Sequence, residues 1–126
     1  MYSTRTVKFE EPIELDCDEI TDCVEVHSPV CICVATLDKK IIMYSLIYHK
    51  VLRVLKGHSC GVRQLLYMAN HGGNLISCGF EINARVWQPS NTKGESYLGK
   101  LTGHNHPITS MVLLPGLPFV ATIDEK

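Results

Sequence analysis

The sequence contains two Gly-His pairs that begin similar stretches of chain. Gly57-His58 and Gly103-His104 are 46 residues apart. Each pair is followed after a few residues by an apolar run, at 62–68 and at 108–114. Successive units built from the same parts at a fixed spacing are typical of a repeat fold, in which each unit packs on its neighbours.

A second spacing supports the same interpretation. Glu81 precedes Trp87 by six positions, and upstream Asp38 precedes Tyr44 by six, so the two aromatic residues are 43 positions apart. Propeller repeats run about 40 to 45 residues, and both spacings fit one such unit. The two spacings therefore indicate that one unit recurs along the chain.

The layout resembles a WD-repeat blade, on the evidence of the Gly-His pair, a small-residue strand ending in Ser77, the acidic Glu81 and Trp87. The resemblance covers residues 20–126 and implies an all-β fold, a portion of a WD-repeat β-propeller. It implies two near-complete four-stranded blades, at about 20–55 and 62–101, and the start of a third at 108–126. Residues 1–19 are expected to form an N-terminal strand and an acidic loop.

The resemblance also implies a structural network of hydrogen-bonded side chains. In the family, His, Ser or Thr, Asp and Trp side chains tie the loop between blades to a turn between strands. Carried over position by position, this set is His58, Ser77, Glu81 and Trp87, with His104 and Asp38 in the third and first units. The chain departs from the pattern where Glu81 replaces Asp, Asp16 stands in place of His, and Tyr44 replaces Trp.

A propeller needs at least about four blades, so two and a half cannot close a ring. We therefore expect the chain to be a portion of a longer protein and to pack against the remaining blades. Other proteins are expected to bind through the loops. The predicted interaction face comprises Ser59, Arg63, Phe80, Asn105 and Thr109, which follow the Gly-His pairs or lie at the turn after the second strand.

The charge balance excludes some partners. The net charge is −1, from 12 basic and 13 acidic residues, which gives no overall field for nucleic acid or an anionic membrane. Of the 13 acids, 8 lie between Glu10 and Glu25. This segment is either a solvated loop, a docking patch for a basic partner, or a weak cation site.

The six cysteines include no Cys-x-x-Cys, and the N-terminus has no apolar signal segment, which favours a reducing, cytoplasmic location. No apolar run approaches the roughly 18 residues of a membrane span. The family resemblance also admits a location on the cytoskeleton or the axoneme of a cilium.

Three motifs were weighed as sites of chemistry. Residues 94–100 match the first seven positions of a phosphate-binding loop, but Leu101 stands where Ser or Thr would hold magnesium. Cys31 and Cys33 share one face of a predicted strand, and His104 and His106 are two positions apart, yet neither pair has further metal ligands nearby. No catalytic signature is present, so no catalytic, metal or cofactor site is predicted.

The resemblance implies a non-enzymatic function, a platform that docks other proteins in a larger assembly, cytoskeletal and ciliary assemblies being among those the family serves. The alternative is a propeller segment of a larger enzyme or of a regulatory subunit of an enzyme complex. Catalytic motifs elsewhere in a full-length reading frame would favour the alternative, and further Gly-His and Trp units would favour the platform.

Overall fold

The computed structural model describes residues 3–7, 13–27, 29–69, 72–91, 96–114 and 120–124. Within these ranges the chain folds entirely into strands and turns, which confirms the all-β class. The strands are β1 (Ser3–Val7), β2 (Ile13–Cys17), β3 (Ile20–His27), β4 (Val30–Thr36), β5 (Lys40–Ser45), β6 (Lys50–Lys56), β7 (Val62–Met68), β8 (Asn74–Gly79), β9 (Ala84–Trp87), β10 (Tyr97–Leu101), β11 (Ile108–Leu113) and β12 (Val120–Asp124).

The strands form antiparallel sheets in chain order. β1 pairs with β2, β3 to β6 form a first four-stranded sheet, β7 to β10 form a second, and β11 pairs with β12. Consecutive strands are neighbours throughout, so every sheet is a simple meander. Outside the described residues lie 70–71 and 92–95 of the second unit, which include Gly94-Glu95, and 115–119 and 125–126 of the third.

The N-terminal region differs from its prediction. Residues 10–19 were expected to be a loop, but β2 occupies Ile13–Cys17 and pairs with β1. Leu15 and Cys17 are buried while Asp16 and Asp18 are exposed, so the acids alternate with apolar residues along a strand. The many acidic residues of this segment favoured a loop, although they alternate with apolar residues as in a strand. Residues 8–12, which include Glu10, lie outside the described part of the chain.

The first strand of each later unit carries a β-bulge at the same place. The register shifts by one residue at Thr21 in β3, at Arg63 in β7 and at Thr109 in β11. Because an extra residue in one strand defines a bulge, these three positions correspond to one another. The shared bulge therefore aligns the three hairpins without reference to any sequence motif.

Three apolar clusters hold the sheets together, each shared between neighbours. Leu15 and Cys17 of β2 pack with Ile32 and Val34 of the first sheet. The first and second sheets share the largest cluster, which contains Trp87, and the second sheet shares another with β11. Since β3 contacts β7 and β7 contacts β11, the first strands of successive units lie side by side.

Polar side chains link these first strands. The Oδ2 of Asp22 accepts a hydrogen bond from the backbone N of Leu65 at 2.8 Å, and the Thr21 hydroxyl donates to the carbonyl of Val62 at 2.6 Å. One unit later, the side chain of Gln64 accepts from the Met111 N at 2.9 Å and donates to the Met111 carbonyl at 3.0 Å. Asp22 and Gln64 each follow the bulge residue, so the same position makes the link twice.

Candidate functional site

The glycines of the two Gly-His pairs share a backbone conformation that favours glycine. Gly57 has a φ of 154° and Gly103 a φ of 133°, a region that residues with a Cβ rarely adopt. A Cβ on Gly57 would also lie 3.2 Å from the Trp87 ring. Glycine at this point therefore lets the chain turn into the loop and bring the next residue, the histidine, inward.

Four of the predicted network residues meet in the second sheet. The Trp87 indole N–H donates to the Ser77 Oγ at 2.7 Å, and the Ser77 Oγ lies 2.6 Å from the His58 Nε2. The His58 Nδ1 contacts the Glu81 carboxylate. His58, Ser77 and Trp87 are buried, so each hydrogen bond satisfies a group that water does not reach.

The partners of His58 define its protonation state. Burial lowers the pKa of His58, the hydrogen bond and charge of Glu81 raise it, and the charge of Arg85 lowers it again, leaving a net decrease. A neutral ring satisfies every group: Nδ1–H donates to Glu81, and Nε2 accepts the Ser77 hydroxyl proton. The buried contact is therefore a hydrogen bond from a neutral imidazole to a carboxylate.

Glu81 makes more contacts than its place in the network requires. Ser59 donates its hydroxyl to Oε2 at 2.8 Å, and the Arg85 guanidinium lies 3.4 Å from the same atom. Burial raises the pKa of the Glu81 carboxyl, but the interactions with His58, Ser59 and Arg85 together lower it by more, so the net pKa is lowered. The Glu81 carbonyl also accepts from the Ile108 N at 3.0 Å, which joins this turn to the third unit.

His104 sits in a similar but shorter network. Its Nε2 lies 2.6 Å from the Thr122 Oγ1, and its Nδ1 lies 2.8 Å from the Asp124 Oδ2. Thr122 pairs with Met111 as Ser77 pairs with Leu65. The acid comes from β12 itself, two residues after Thr122, whereas Glu81 reaches back from a turn four residues after Ser77.

Asp38 has a different partner. It pairs with Lys40 in the same turn, at 3.1 Å between Oδ2 and Nζ. Val34 occupies the position of Ser77, Tyr44 that of Trp87, and Asp16 is exposed on β2. The structure therefore does not bring Asp38 into a histidine network, because the first unit lacks the polar groups that would form one.

The five residues of the predicted interaction face lie in the second unit and at the start of the third. The guanidinium of Arg63 lies 4.4 Å from the centroid of the Phe80 ring, and Phe80 remains 44% exposed. Ser59 is held beside them through Glu81. Thr109 donates to the Ile123 carbonyl at 3.1 Å, and Asn105 is exposed in the loop after His104. Ser59, Arg63 and Phe80 thus gather around one turn. Asn105 and Thr109 belong to the third unit, which is joined to this turn by the hydrogen bond from the Ile108 N to the Glu81 carbonyl.

The cysteine pair and part of the motif that matches a phosphate-binding loop lie within the β-sheets. Cys31 and Cys33 are buried in the largest apolar cluster, and the hydrogen bond with Cys31, together with burial, raises the pKa of the Cys33 thiol well above its usual value. Among the described residues, no three His, Cys, Asp or Glu side chains are placed to hold a metal ion. In the motif that matches a phosphate-binding loop, Tyr97 to Leu101 form strand β10.

Sequence reasoning missed several residues. Arg85 stands four positions after Glu81, an opposite-charge spacing that the sequence displayed. Asp22 and Gln64 are polar residues that lie two positions after the apolar residue that begins β3 and β7, respectively. A polar residue at the same place in both strands was the sequence signal that could have identified them.

Comparison with protein-family models found none that matches this chain, and comparison with curated proteins found no significant match. A helix long and apolar enough to cross a membrane is not found among the described residues.

Proposed function

We propose that this chain is a portion of a WD-repeat β-propeller and acts as a non-enzymatic platform that binds other proteins. The assemblies we favour are cytoskeletal or ciliary. The support for propeller identity is the agreement of the 43- and 46-residue spacings and the histidine network at His58 and His104 with the bulge that the first strands share.

The observation that carries the binding proposal is the stacked pair of Arg63 and Phe80. An arginine held over an aromatic ring at 4.4 Å presents a flat, rigid surface, and both residue types dominate the energetics of protein interfaces. Ser59 and the Glu81 network fix the turn beneath this pair. The side chains are therefore ordered before a partner binds, which reduces the entropy cost of binding.

Quantitative affinity purification tests the proposal with a matched control. One variant carries Arg63→Ala and Phe80→Ala, and the control carries Tyr48→Ala and Lys50→Ala, which removes an exposed pair of the same chemistry with Nζ 5.8 Å from the ring centroid. Proteins recovered by the wild type and the control are expected to be lost by the Arg63 and Phe80 variant.

Circular dichroism of each variant shows whether the fold is intact. If the Arg63 and Phe80 variant is folded and recovers the same proteins as the wild type, this surface is not the platform. The acidic segment between Glu10 and Glu25 then becomes the next surface to test.

A further inference from the structure

A cavity of about 440 Å³ lies between the β4–β5 turn and the loop that leads to the second sheet. Lys39 and Lys40 line it from the turn, Lys56 from the end of β6, and Gly57-His58 from the loop. His58 already uses both ring nitrogens inside the network. The side chains that can meet a ligand here are therefore chiefly the lysines.

The cavity carries excess positive charge. Three lysines face one acid, Asp38, and Asp38 pairs with Lys40 at 3.1 Å. Lys39 and Lys56 are exposed, and neither forms an ion pair within the described part of the chain. Two positive charges consequently remain for a ligand to neutralise.

The pairing of β5 with β6 adds a second observation. Lys40 and Lys56 are direct cross-strand partners, so their side chains leave the sheet on the same face. Like charges directly opposite each other in a sheet are destabilising. Asp38 already offsets the charge of Lys40, and a bound anion would offset that of Lys56, which favours an anionic ligand over a neutral one.

Lys39 has an unusual backbone conformation. Its φ is 70°, a left-handed value that glycine or asparagine adopts more readily than lysine. At this point a lysine is conformationally unfavourable, yet Lys39 is one of the residues that line the cavity. Backbone strain of this kind is often found where a side chain has a ligand to meet.

We propose that this lysine cavity, consisting of Lys39, Lys40 and Lys56, binds the carboxylates of an acidic segment in a protein partner. Two uncompensated ammonium groups match two adjacent Asp or Glu side chains. Gly57-His58, which line the cavity, immediately precede Ser59 in the chain. The inference rests on the proposed function in taking the partner to be a protein.

Fluorescence anisotropy with labelled hexaglutamate tests the site on the full chain. The variant carries Lys39→Asn, which keeps a residue suited to the left-handed backbone, and Lys56→Gln. The control carries Lys50→Gln and Lys100→Gln, the same change of charge at exposed lysines elsewhere. We expect the variant to bind about five- to tenfold more weakly than the wild type and the control to bind within about twofold.

Two further measurements test binding of hexaglutamine, a neutral peptide, and the dependence of hexaglutamate binding on salt. The neutral peptide is expected not to bind, and binding of hexaglutamate is expected to weaken as ionic strength rises. Equal loss in the variant and the control would mean that net charge alone attracts the peptide, and the cavity proposal would be wrong. Unchanged binding in the variant would overturn it as well.

A measurement on the wild type removes any dependence on variant folding. Hexaglutamate is expected to protect Lys39 and Lys56 from acetylation, relative to Lys50 and Lys100, as read by mass spectrometry. Protection by inorganic phosphate at matched ionic strength, without protection by hexaglutamate, would assign the cavity to a small anion and contradict a peptide ligand. Failure of the Arg63 and Phe80 surface to recover partners leaves this readout unaffected, so the two proposals fail separately.

Discussion

The hydrogen bonds around His58 require an imidazole ring that carries one proton, on Nδ1. With a neutral ring, Trp87 donates to Ser77, Ser77 donates to His58, and His58 donates to Glu81. A second proton on the ring would direct an N–H toward the Ser77 oxygen, and the Ser77 hydroxyl proton would lose its acceptor in a buried site. An unsatisfied buried donor of this kind costs about 1 to 3 kcal/mol.

Acid is therefore expected to weaken the fold through this site. The pKa of His58 is lowered in the folded chain, so the unfolded chain binds the proton more tightly, and stability is lost as pH falls below the ordinary value of 6.5. The lowered pKa of Glu81 adds a further loss below its ordinary value of 4.5. Urea unfolding between about pH 7 and about pH 5 measures the first effect.

A His58→Gln chain is the comparison for this pH series, since glutamine does not titrate. It is expected to lose less stability than the wild type over the same range. A wild-type free energy of unfolding that rises as the solution becomes acidic would contradict a neutral His58.

Ser77→Ala is expected to lower the free energy of unfolding by about 1 to 3 kcal/mol. The change removes one oxygen but leaves both the Trp87 N–H and the His58 Nε2 without their buried partner. Ser59→Ala is the matched control, because Ser59 donates to Glu81 from an exposed position, and it should cost within about 0.5 kcal/mol. Equal losses in the two variants would show that burial of the network contributes little.

Part of this site could be predicted from the sequence. The resemblance to a WD-repeat blade implies the set His58, Ser77, Glu81 and Trp87, and the structure brings these four residues together. Glu81 departs from the aspartate of the family pattern, and its carboxylate contacts His58, Ser59 and Arg85 from the turn. Asp124 was not foreseen, because an acid two residues after Thr122 does not follow the spacing of the second unit.

The bulge in the first strand of each unit could not be predicted from the sequence. Thr21, Arg63 and Thr109 share no chemistry that marks a bulge. The positions of β3, β7 and β11 were predictable because each begins with an apolar β-branched residue and continues for six to eight residues. Register depends instead on pairing between strands, and a single strand carries little information about it.

Gln64→Ala is expected to loosen the hairpin of β11 and β12. The change removes two hydrogen bonds to the backbone of Met111, so hydrogen exchange at the Met111 amide should become faster. Ser110→Ala is the control at the corresponding position of the next unit, where the described residues show no such link. Unchanged exchange at Met111 would mean that the apolar cluster alone holds the hairpin in place.

Among the described residues, each apolar cluster is shared between neighbouring sheets, so the sheets pack in series along the chain. The largest cluster joins the two four-stranded sheets, and another joins the second sheet to β11. In such arrays a substitution acts mainly on the units that share its cluster. The order of the sheets along the chain therefore also sets how far a local defect spreads.

Leu65→Ala and Met111→Ala are expected to differ in the region that they destabilise. Each truncates a buried side chain, with an expected loss of about 2 to 5 kcal/mol. Leu65→Ala should raise hydrogen exchange in both four-stranded sheets, whereas Met111→Ala should raise it in β11, β12 and the second sheet but little in β3 to β6. The same exchange pattern in both variants would indicate one cooperative unit.

The shared bulge also determines where the chain can become shorter. Deletion of Thr21, Arg63 or Thr109 removes the extra residue and leaves every other cross-strand pair intact. Deletion of a residue in the middle of the same strand moves its remaining side chains to the opposite face. Natural or engineered length variation within the first strands should therefore be confined to three positions, 42 and then 46 residues apart along the chain.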